Sequence, residues 1–485
     1  MDLVVDTRSG PVEGREKNGV FLFAGIPYAA PPVGERRFMP PAPPEPWSEV
    51  RAATRFGKAA PQLQGGGMTD NAPVDWDEDC LFLNVQTPSL EGARPVLVWI
   101  HGGGYRTGQG AIPWYNGESF ARLGDIVTVS INYRLGALGF TDLSRFGEEF
   151  ESSGALGTLD QIAALQWVQN NIAAFGGDPS RVTIAGESAG GFSVGTLLAS
   201  PLTRGMFRAA IPQSGAGHHT LPQAAAARVT DALLETLGVV DIDGLRGVSV
   251  DEILKAQTTV DLKLARDPAM GGVNAFYPVE GCPAIPVKPI DAIRSGAGSD
   301  VDVLIGTNKD EATLFIMERV SDDRPAKDAA RYGGGDALLA AYRSAMPDAD
   351  PTELATAMST HWTFRVPAVR LAEARVENGS GTGRTWMYLF TWESRSRLKS
   401  THALEIPFAF NNLDKPGVKV FLGQGPTPQG VADTMHNAWI RFINDGDPGW
   451  PAYDLDKRIN MRFDEESGPV ENPDAAFLDA WAGIR

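Results

Sequence analysis

The segment Arg181-Val-Thr-Ile-Ala-Gly-Glu-Ser188-Ala-Gly-Gly191 sets the architecture of this chain. An apolar, β-branched run enters a Gly-x-Ser-x-Gly turn, and the helix-like sequence from Phe192 to Ala199 follows it. A strand, a sharp turn and a helix in this order are typical of a nucleophile elbow, in which the serine backbone is strained and only small neighbours fit. Ser188 is therefore the candidate nucleophile, with its hydroxyl exposed above the sheet.

The composition indicates a soluble globular protein. The chain has 485 residues, 43% of them apolar, and 43 basic against 60 acidic residues give a net charge of −17. That balance disfavours binding to nucleic acid or anionic membranes and favours neutral or cationic small molecules. The sequence contains no run of eighteen apolar residues, and its first residues lack a basic region followed by an apolar one. We therefore expect a cytoplasmic protein with no membrane span.

Metal and cofactor motifs are absent from the sequence. The two cysteines and six histidines form no Cys-x-x-Cys and no His-Glu-x-x-His pattern. A phosphate-binding loop and a dinucleotide fingerprint are missing as well. We expect no metal and no cofactor.

The chain before the elbow alternates strands and helices. The apolar runs Arg94–Ile100 and Asp125–Tyr133 predict buried strands, and apolar positions at helical spacing predict a helix over Thr158–Ala174. Strand, helix, strand and helix in succession imply a mostly parallel central sheet flanked by helices, an α/β fold.

The chain after the elbow combines strands with two insertions. Strands are predicted at Asp302–Gly306 and at Arg384–Trp392, which is the last well-marked core strand. Alanine-rich helical stretches at about 216–298 and 313–380 are predicted to be insertions that shape the substrate pocket. We interpret residues 1–485 as a single catalytic domain.

A glycine run follows the first buried strand, in His101-Gly-Gly-Gly-Tyr105. Glycines at the carboxyl end of a buried strand leave backbone N–H groups uncovered, as an oxyanion requires. A flexible turn and a phosphate site are the alternatives.

Serine catalysis also requires a base and a group that orients the base. His402, beyond the last core strand, and Glu311, just after another strand, complete the chain order of nucleophile, acid and base that α/β-hydrolases show. Spacing does not separate Glu311 from Asp310. Three other histidines are weaker candidates for the base: His101, His361 and His436.

Six segments together resemble the type-B carboxylesterases, which include cholinesterases and bacterial para-nitrobenzyl esterases. They are Phe23–Ala29, Glu78–Asn84, Trp99–Gly104, Asn132–Arg134, Phe175–Pro179 and Gly186–Gly191.

The resemblance assigns roles to individual residues. It implies an α/β-hydrolase fold with Ser188, Glu311 and His402 as the triad, and it thereby favours Glu311 over Asp310. The implied oxyanion-hole donors are Gly103, Gly104 and Ala189, and Glu187 and Ser214 would support the hydrogen bonding of the triad.

Cys80 distinguishes this chain from secreted members of the family that it resembles. In those relatives the matching cysteine closes a disulfide. Residues 1–79 of this chain contain no cysteine, so we expect Cys80 to be a buried free thiol.

The expected function is that of a serine carboxylesterase that hydrolyses carboxylic esters of small, neutral or aromatic molecules through an acyl-enzyme. A hydrolase of aryl carbamates or aromatic polyesters would need the same machinery. A non-catalytic binding protein is the alternative from another class, and the filled catalytic positions argue against it.

Overall fold

The strand predicted from Arg94 to Ile100 lies in the middle of a large mixed sheet. The structure, a computed structural model, describes residues 3–63, 74–265, 267, 270 and 274–485. Its strands are β1 Val4–Asp6, β2 Pro11–Glu13, β3 Arg15–Lys17, β4 Val20–Pro27, β5 Arg51–Ala52, β6 Phe82–Thr87, β7 Arg94–Ile100, β8 Val127–Ile131, β9 Gly177–Glu187, β10 Ala209–Gln213, β11 Asp302–Asn308, β12 Thr385–Phe390, β13 Ile459–Phe463 and β14 Gly468–Glu471.

Within the described residues this sheet has eleven strands, in the order β14-β13-β12-β11-β10-β9-β7-β8-β6-β4-β3. The seven strands from β13 to β8 pair in parallel, and antiparallel pairs close both edges. A separate small sheet joins β1, β2 and β5. The predicted fold class, a mostly parallel sheet flanked by helices, is confirmed.

Strand β7 shows why the sheet is buried on both faces. Val96, Val98 and Ile100 pack into one hydrophobic cluster, whereas Leu97 and Trp99 pack into another on the opposite face. Because successive side chains of a strand point to opposite faces, a continuous apolar run fits a central strand covered by helices on both sides.

Helices cover the sheet and fill the two regions that the sequence analysis predicted to be insertions. They are α1 Glu118–Gly124, α2 Gly136–Phe140, α3 Leu156–Asn171, α4 Ala189–Ala199, α5 Gln223–Leu237, α6 Ile242–Gly247, α7 Val250–Leu264, α8 Pro289–Arg294, α9 Arg324–Arg331, α10 Gly335–Ala345, α11 Pro351–Thr360, α12 Val366–Asn378, α13 Ile406–Ala409, α14 Val418–Leu422, α15 Gln429–Asp445 and α16 Ala475–Leu478. Residues 216–298 contain α5 to α8, and residues 313–380 contain α9 to α12. None of the described helices is long and apolar enough to cross a membrane.

The ends of three predicted strands and of the predicted helix shift by one to three residues, and two of the differences concern the extent of the sheet and the end of the helix. The sheet does not end at the strand predicted over Arg384–Trp392, because β13 pairs in parallel with β12 and β14 follows it. The helix predicted to end at Ala174 ends at Asn171 as an α-helix, and a tighter 3₁₀ turn continues to Phe175. Short 3₁₀ turns are common at helix ends, since they use carbonyl groups that the helix leaves unpaired.

Candidate active site

The predicted elbow is present between β9 and α4. Ser188 has φ +56° and ψ −122°, a conformation that is strained for a residue with a side chain. Its N–H donates to the carbonyl of Gln213 at 3.0 Å. A Cβ atom at Gly190 would lie 2.0 Å from the carbonyl oxygen of Ile100, and one at Gly186 would lie 2.6 Å from the carbonyl carbon of Gly190. Strand and helix therefore pack too closely for any side chain at these two positions.

The glycine run after β7 packs against the elbow. A Cβ atom at Gly102 would lie 3.1 Å from the Cβ of Ser188. Gly103 and Gly104 have φ values of +108° and +62°. Within the described residues, the N–H groups of Gly103, Gly104 and Ala189 donate to no acceptor. These three donors are thus available to a ligand beside Ser188.

His402 and Glu311 are in direct contact. Nδ1 of His402 lies 2.5 Å from Oε2 of Glu311, and both side chains are buried. Glu311 is placed by the turn that follows β11, and its carbonyl oxygen also accepts from the N–H of His402 at 3.3 Å. Because the carboxylate accepts at Nδ1, the proton of a neutral imidazole lies on Nδ1, and Nε2 can act as a base.

The second oxygen of Glu311 is held by two donors. The hydroxyl of Ser214 donates to Oε1 at 2.5 Å, and the backbone N–H of Asn308 donates to it at 2.7 Å. The neighbouring Asp310 points elsewhere, where its Oδ2 accepts from the N–H of Ser400 at 3.4 Å. Of the two adjacent acids, it is Glu311 that contacts the imidazole.

Glu187 occupies the other side of the imidazole. Its Oε1 lies 3.1 Å from Nε2 of His402, whereas the hydroxyl of Ser188 makes no hydrogen bond with His402 in the described structure. Catalytic hydrogen bonds are often long or poorly aligned before substrate binds, so this geometry is compatible with a Ser188–His402 pair.

The charges of Glu187 and His402 are coupled. Burial raises the pKa of Glu187 well above its ordinary range. Burial alone lowers the pKa of His402, but the carboxylates of Glu187 and Glu311 outweigh it and raise that pKa to about 9. Because Oε1 of Glu187 lies 3.1 Å from Nε2 of His402, the two groups are close enough for their titrations to be coupled.

Sequence reasoning missed the roles of three polar residues next to the site, Asn308, Gln213 and Glu405. The side chain of Asn308 donates to the carbonyl oxygen of Thr401 at 2.6 Å and to Oε2 of Glu405 at 2.7 Å. Gln213 donates to the other oxygen of Glu405 at 3.1 Å, and burial raises the pKa of Glu405 to about 7. The position of Glu405, three residues after His402, was the available signal. These bonds tie the loop that carries His402 to β10 and β11.

Two aromatic rings from the region 313–380 lie beside the imidazole. The rings of Phe364 and Phe315 lie 4.7 Å and 5.2 Å from that of His402. Phe192, one turn of helix after Ser188, lies 6.3 Å from Phe364 and stacks on His219 at 3.6 Å. Phe315 is 61% exposed, so the apolar wall is open to solvent at this end.

The alternative histidines have other partners. Nδ1 of His436 pairs with the carbonyl oxygen of Ala409 at 2.8 Å, and His361 is hydrogen-bonded to the hydroxyl of Tyr342. His101 stacks on a buried tyrosine at 4.5 Å. None of these three contacts involves an acid of the site.

A comparison with protein families gives a match over almost the whole chain. The model described as "Carboxylesterase family" matches residues 1–472. The chain belongs to this family. The protein is therefore a carboxylic ester hydrolase, and the resemblance inferred from the sequence motifs is confirmed.

Individual carboxylesterases are similar along their full lengths. The para-nitrobenzyl esterase of Bacillus subtilis (strain 168) is 38% identical, with 97% of each chain covered. The phenmedipham hydrolase of Pseudarthrobacter oxydans is 36% identical, with 96% of each chain covered. A solved carboxylesterase of Geobacillus stearothermophilus superimposes with a TM-score of 0.87 at 39% identity, covering 99% of this chain and 100% of the other.

Proposed function

We propose that Ser188, His402 and Glu311 form the catalytic triad of a carboxylesterase that acts on small, neutral or aromatic esters. The observation that carries the proposal is the 2.5 Å contact between His402 and Glu311, at a site where a strained serine faces uncommitted backbone donors. Residues 1–485 act as one catalytic domain in this proposal, and cytoplasmic location stays a prediction from the sequence.

The reaction proceeds in two halves. Nε2 of His402 takes the proton of the Ser188 hydroxyl as the serine oxygen bonds to the ester carbonyl carbon. The tetrahedral intermediate then collapses: the bond to the alcohol oxygen breaks, and His402 returns the proton to the departing alcohol. In the second half, His402 takes a proton from water as the water oxygen bonds to the acyl carbon. The bond to the serine oxygen then breaks, which releases the acid and restores the serine.

Each supporting group has a defined task. The N–H groups of Gly103, Gly104 and Ala189 stabilise the negative oxygen of the intermediate. Glu311 fixes the tautomer of the imidazole and stabilises its positive form, and Ser214 holds Glu311 in place through its 2.5 Å hydrogen bond. Glu187 adds a second carboxyl group beside Nε2.

The aromatic rings around His402 support the proposed substrate class. Phe315 and Phe364 offer apolar, planar surfaces to an aryl group of the ester. The resemblance to a para-nitrobenzyl esterase agrees with this preference. Hydrolysis of aryl carbamates is the second candidate, favoured by the similarity to a phenmedipham hydrolase. Aromatic polyesters would use the same triad.

Turnover of 4-nitrophenyl acetate and butyrate tests the proposal. Ser188→Ala should reduce kcat by about three to six orders of magnitude, whereas Ser193→Ala, a buried serine of the same helix, should retain most of the activity. A sulfonyl fluoride should label Ser188, as located by mass spectrometry. Retention of more than about a tenth of the activity by Ser188→Ala, or an adduct at another residue, would refute the assignment.

A further inference from the structure

Glu405 is a buried carboxyl group that forms no ion pair in the part of the chain that the structure describes. It lies three residues after His402, and both of its oxygens accept hydrogen bonds from amide groups. Nε2 of Gln213 donates to Oε1 at 3.1 Å, and Nδ2 of Asn308 donates to Oε2 at 2.7 Å. A buried carboxylate is costly unless its hydrogen bonds are complete, so the two amides are essential to it.

The orientation of each amide is fixed by a third group. Nε1 of Trp439, which can only donate, bonds to Oε1 of Gln213 at 3.1 Å, so the NH₂ group of Gln213 must face Glu405. The carbonyl oxygen of Thr401, which can only accept, bonds to Nδ2 of Asn308 at 2.6 Å. Neither amide can be flipped without losing this partner. Both oxygens of Glu405 therefore have to accept, which requires the ionised form.

Each of the two amide residues also bonds to another member of the proposed triad. The backbone carbonyl oxygen of Gln213 accepts from the N–H of Ser188 at 3.0 Å. The backbone N–H of Asn308 donates to Oε1 of Glu311 at 2.7 Å. Glu405 thus bonds to the residue that anchors the nucleophile and to the residue that anchors the acid, and its own backbone belongs to the loop that carries the base.

We propose that ionised Glu405 is a positioning residue for ester hydrolysis: by accepting from Gln213 and Asn308, it fixes the loop of the base relative to the nucleophile and the acid. The inference rests on the proposed function, since the groups that it aligns are those of the proposed triad. A misplacement of reacting groups by about 1 Å can cost about 100-fold in rate. Loss of these hydrogen bonds should therefore act on kcat.

The charge state of Glu405 sets the conditions of the test. Burial raises its pKa to about 7, and the nearby carboxylate of Glu311 acts in the same direction. The hydrogen bonds from the two amides oppose this shift, because they stabilise the charged form. At a pH of about 8.5 the carboxylate form predominates, so the assay is made there.

Exchange of the acid and the amide across the 3.1 Å contact tests the proposal. Glu405→Gln places an NH₂ group opposite one of the two amide donors and breaks that hydrogen bond. The double variant Gln213→Glu/Glu405→Gln reverses the donor and the acceptor of the contact. The introduced glutamate then accepts from Trp439 and from the introduced glutamine, and the oxygen of that glutamine accepts from Asn308. Every hydrogen bond is kept, and the negative charge moves across one contact.

The quantities measured are KM and kcat for 4-nitrophenyl butyrate, with kcat expressed per active site labelled to completion by a sulfonyl fluoride. Glu405→Gln should lower this kcat at least about tenfold with little change in KM, and the double variant should recover to within about threefold of wild type. Gln213→Glu alone should also be impaired, since it sets two carboxylates against each other. A merely structural role would reduce the number of labelled sites and leave kcat per site unchanged.

The matched control is Asn308→Asp/Glu405→Gln. It also moves the charge across a contact of Glu405, but an aspartate oxygen would then face the carbonyl oxygen of Thr401, which needs a donor. This pair should not recover. If it recovers as well as the first pair does, the buried charge alone matters, and the positioning role is refuted.

A loss of less than about tenfold in Glu405→Gln, or a double variant no better than the single one, would overturn the proposal. If Glu405→Gln fails to fold, the double variant decides alone. A kcat near that of wild type supports the proposal, and a double variant that is unfolded or folded but inactive refutes it. Failure of the proposed function gives a different result, because the wild type would then hydrolyse no 4-nitrophenyl ester, and the positioning role would be refuted with it.

Discussion

Replacing Glu311 by glutamine tests how the hydrogen bonds of Glu311 set the protonation of His402 in the proposed triad. In the wild type, Oε1 of Glu311 accepts from Ser214 at 2.5 Å and from the N–H of Asn308 at 2.7 Å, while Oε2 faces Nδ1 of His402 at 2.5 Å. A hydroxyl can rotate to become an acceptor, but a backbone N–H cannot. The amide oxygen of the introduced glutamine must therefore take the Oε1 position, and its NH₂ group must face His402.

This arrangement switches the neutral imidazole to its other tautomer. An NH₂ group opposite Nδ1 requires Nδ1 to accept, so the proton of the neutral ring moves to Nε2. That nitrogen then cannot take a proton from Ser188. The loss of a triad carboxylate by amide substitution costs about 10³- to 10⁴-fold in kcat, or about 4–5.5 kcal/mol of transition-state stabilisation. KM should change little, because Glu311 lies behind His402 and away from the substrate.

The assay is the steady-state hydrolysis of a 4-nitrophenyl ester by Glu311→Gln beside Asp310→Asn as the matched neighbour. The carboxylate of Asp310 accepts a long hydrogen bond from the N–H of Ser400, at 3.4 Å, so its variant should lose less than about tenfold. A large loss of kcat in Asp310→Asn together with a small loss in Glu311→Gln would refute the hydrogen-bond reasoning.

Three further predictions concern charge, stability and thiols. Glu187→Gln should move the acid limb of the kcat/KM profile to lower pH by about one unit or more, because it removes a carboxylate that raises the pKa of His402, and activity requires the neutral base. Asp160→Asn should lower the free energy of unfolding by about 3–5 kcal/mol, measured in urea, because it leaves a buried arginine without its counter-charge. Cys80 and Cys282 are both free and buried, so the denatured, non-reduced protein should titrate with two thiols.

Each of these has a control. An acid limb that stays in place in Glu187→Gln would show that Glu187 does not raise the pKa of His402. The partner of Asp160 is Arg134, at 2.7 Å, whereas Asp125 forms an exposed pair whose loss should cost less than about 1 kcal/mol. A thiol count of zero in the monomer would contradict the free cysteines. In the native protein both thiols should react slowly, since burial raises their pKa.

The sequence predicted the parts of the site that are built from contiguous residues. An elbow and a glycine run each require small residues at fixed offsets from one strand, so Ser188 and Gly103 could be found from short motifs. Strand β7 could be predicted because both of its faces are buried. By contrast, β13 contains Asn460 and Arg462 among its five residues, and its place in the sheet depends on pairing with β12.

The walls of the pocket could not be predicted in the same way. Phe192, Phe315 and Phe364 are far apart in sequence. No local pattern shows that Phe315 and Phe364 lie beside one imidazole and that Phe192 lies near Phe364. Spacing could not separate Asp310 from Glu311 either, because the turn after β11 decides which carboxylate points inward. The N–H of Asn308 holds that turn by bonding to Glu311, a contact that only the folded backbone reveals.

The close packing of the elbow restricts how this enzyme can evolve. Backbone atoms already occupy the space that side chains at Gly186 and Gly190 would need. Substitutions at these two positions therefore cannot change the shape or the charge of the site. We expect variation to be tolerated instead at exposed side chains near His402, such as Phe315. A lineage built on this scaffold can exchange one substrate for another by altering its insertions while the reacting centre stays fixed. Libraries that aim at new ester specificity should therefore be concentrated in residues 216–298 and 313–380.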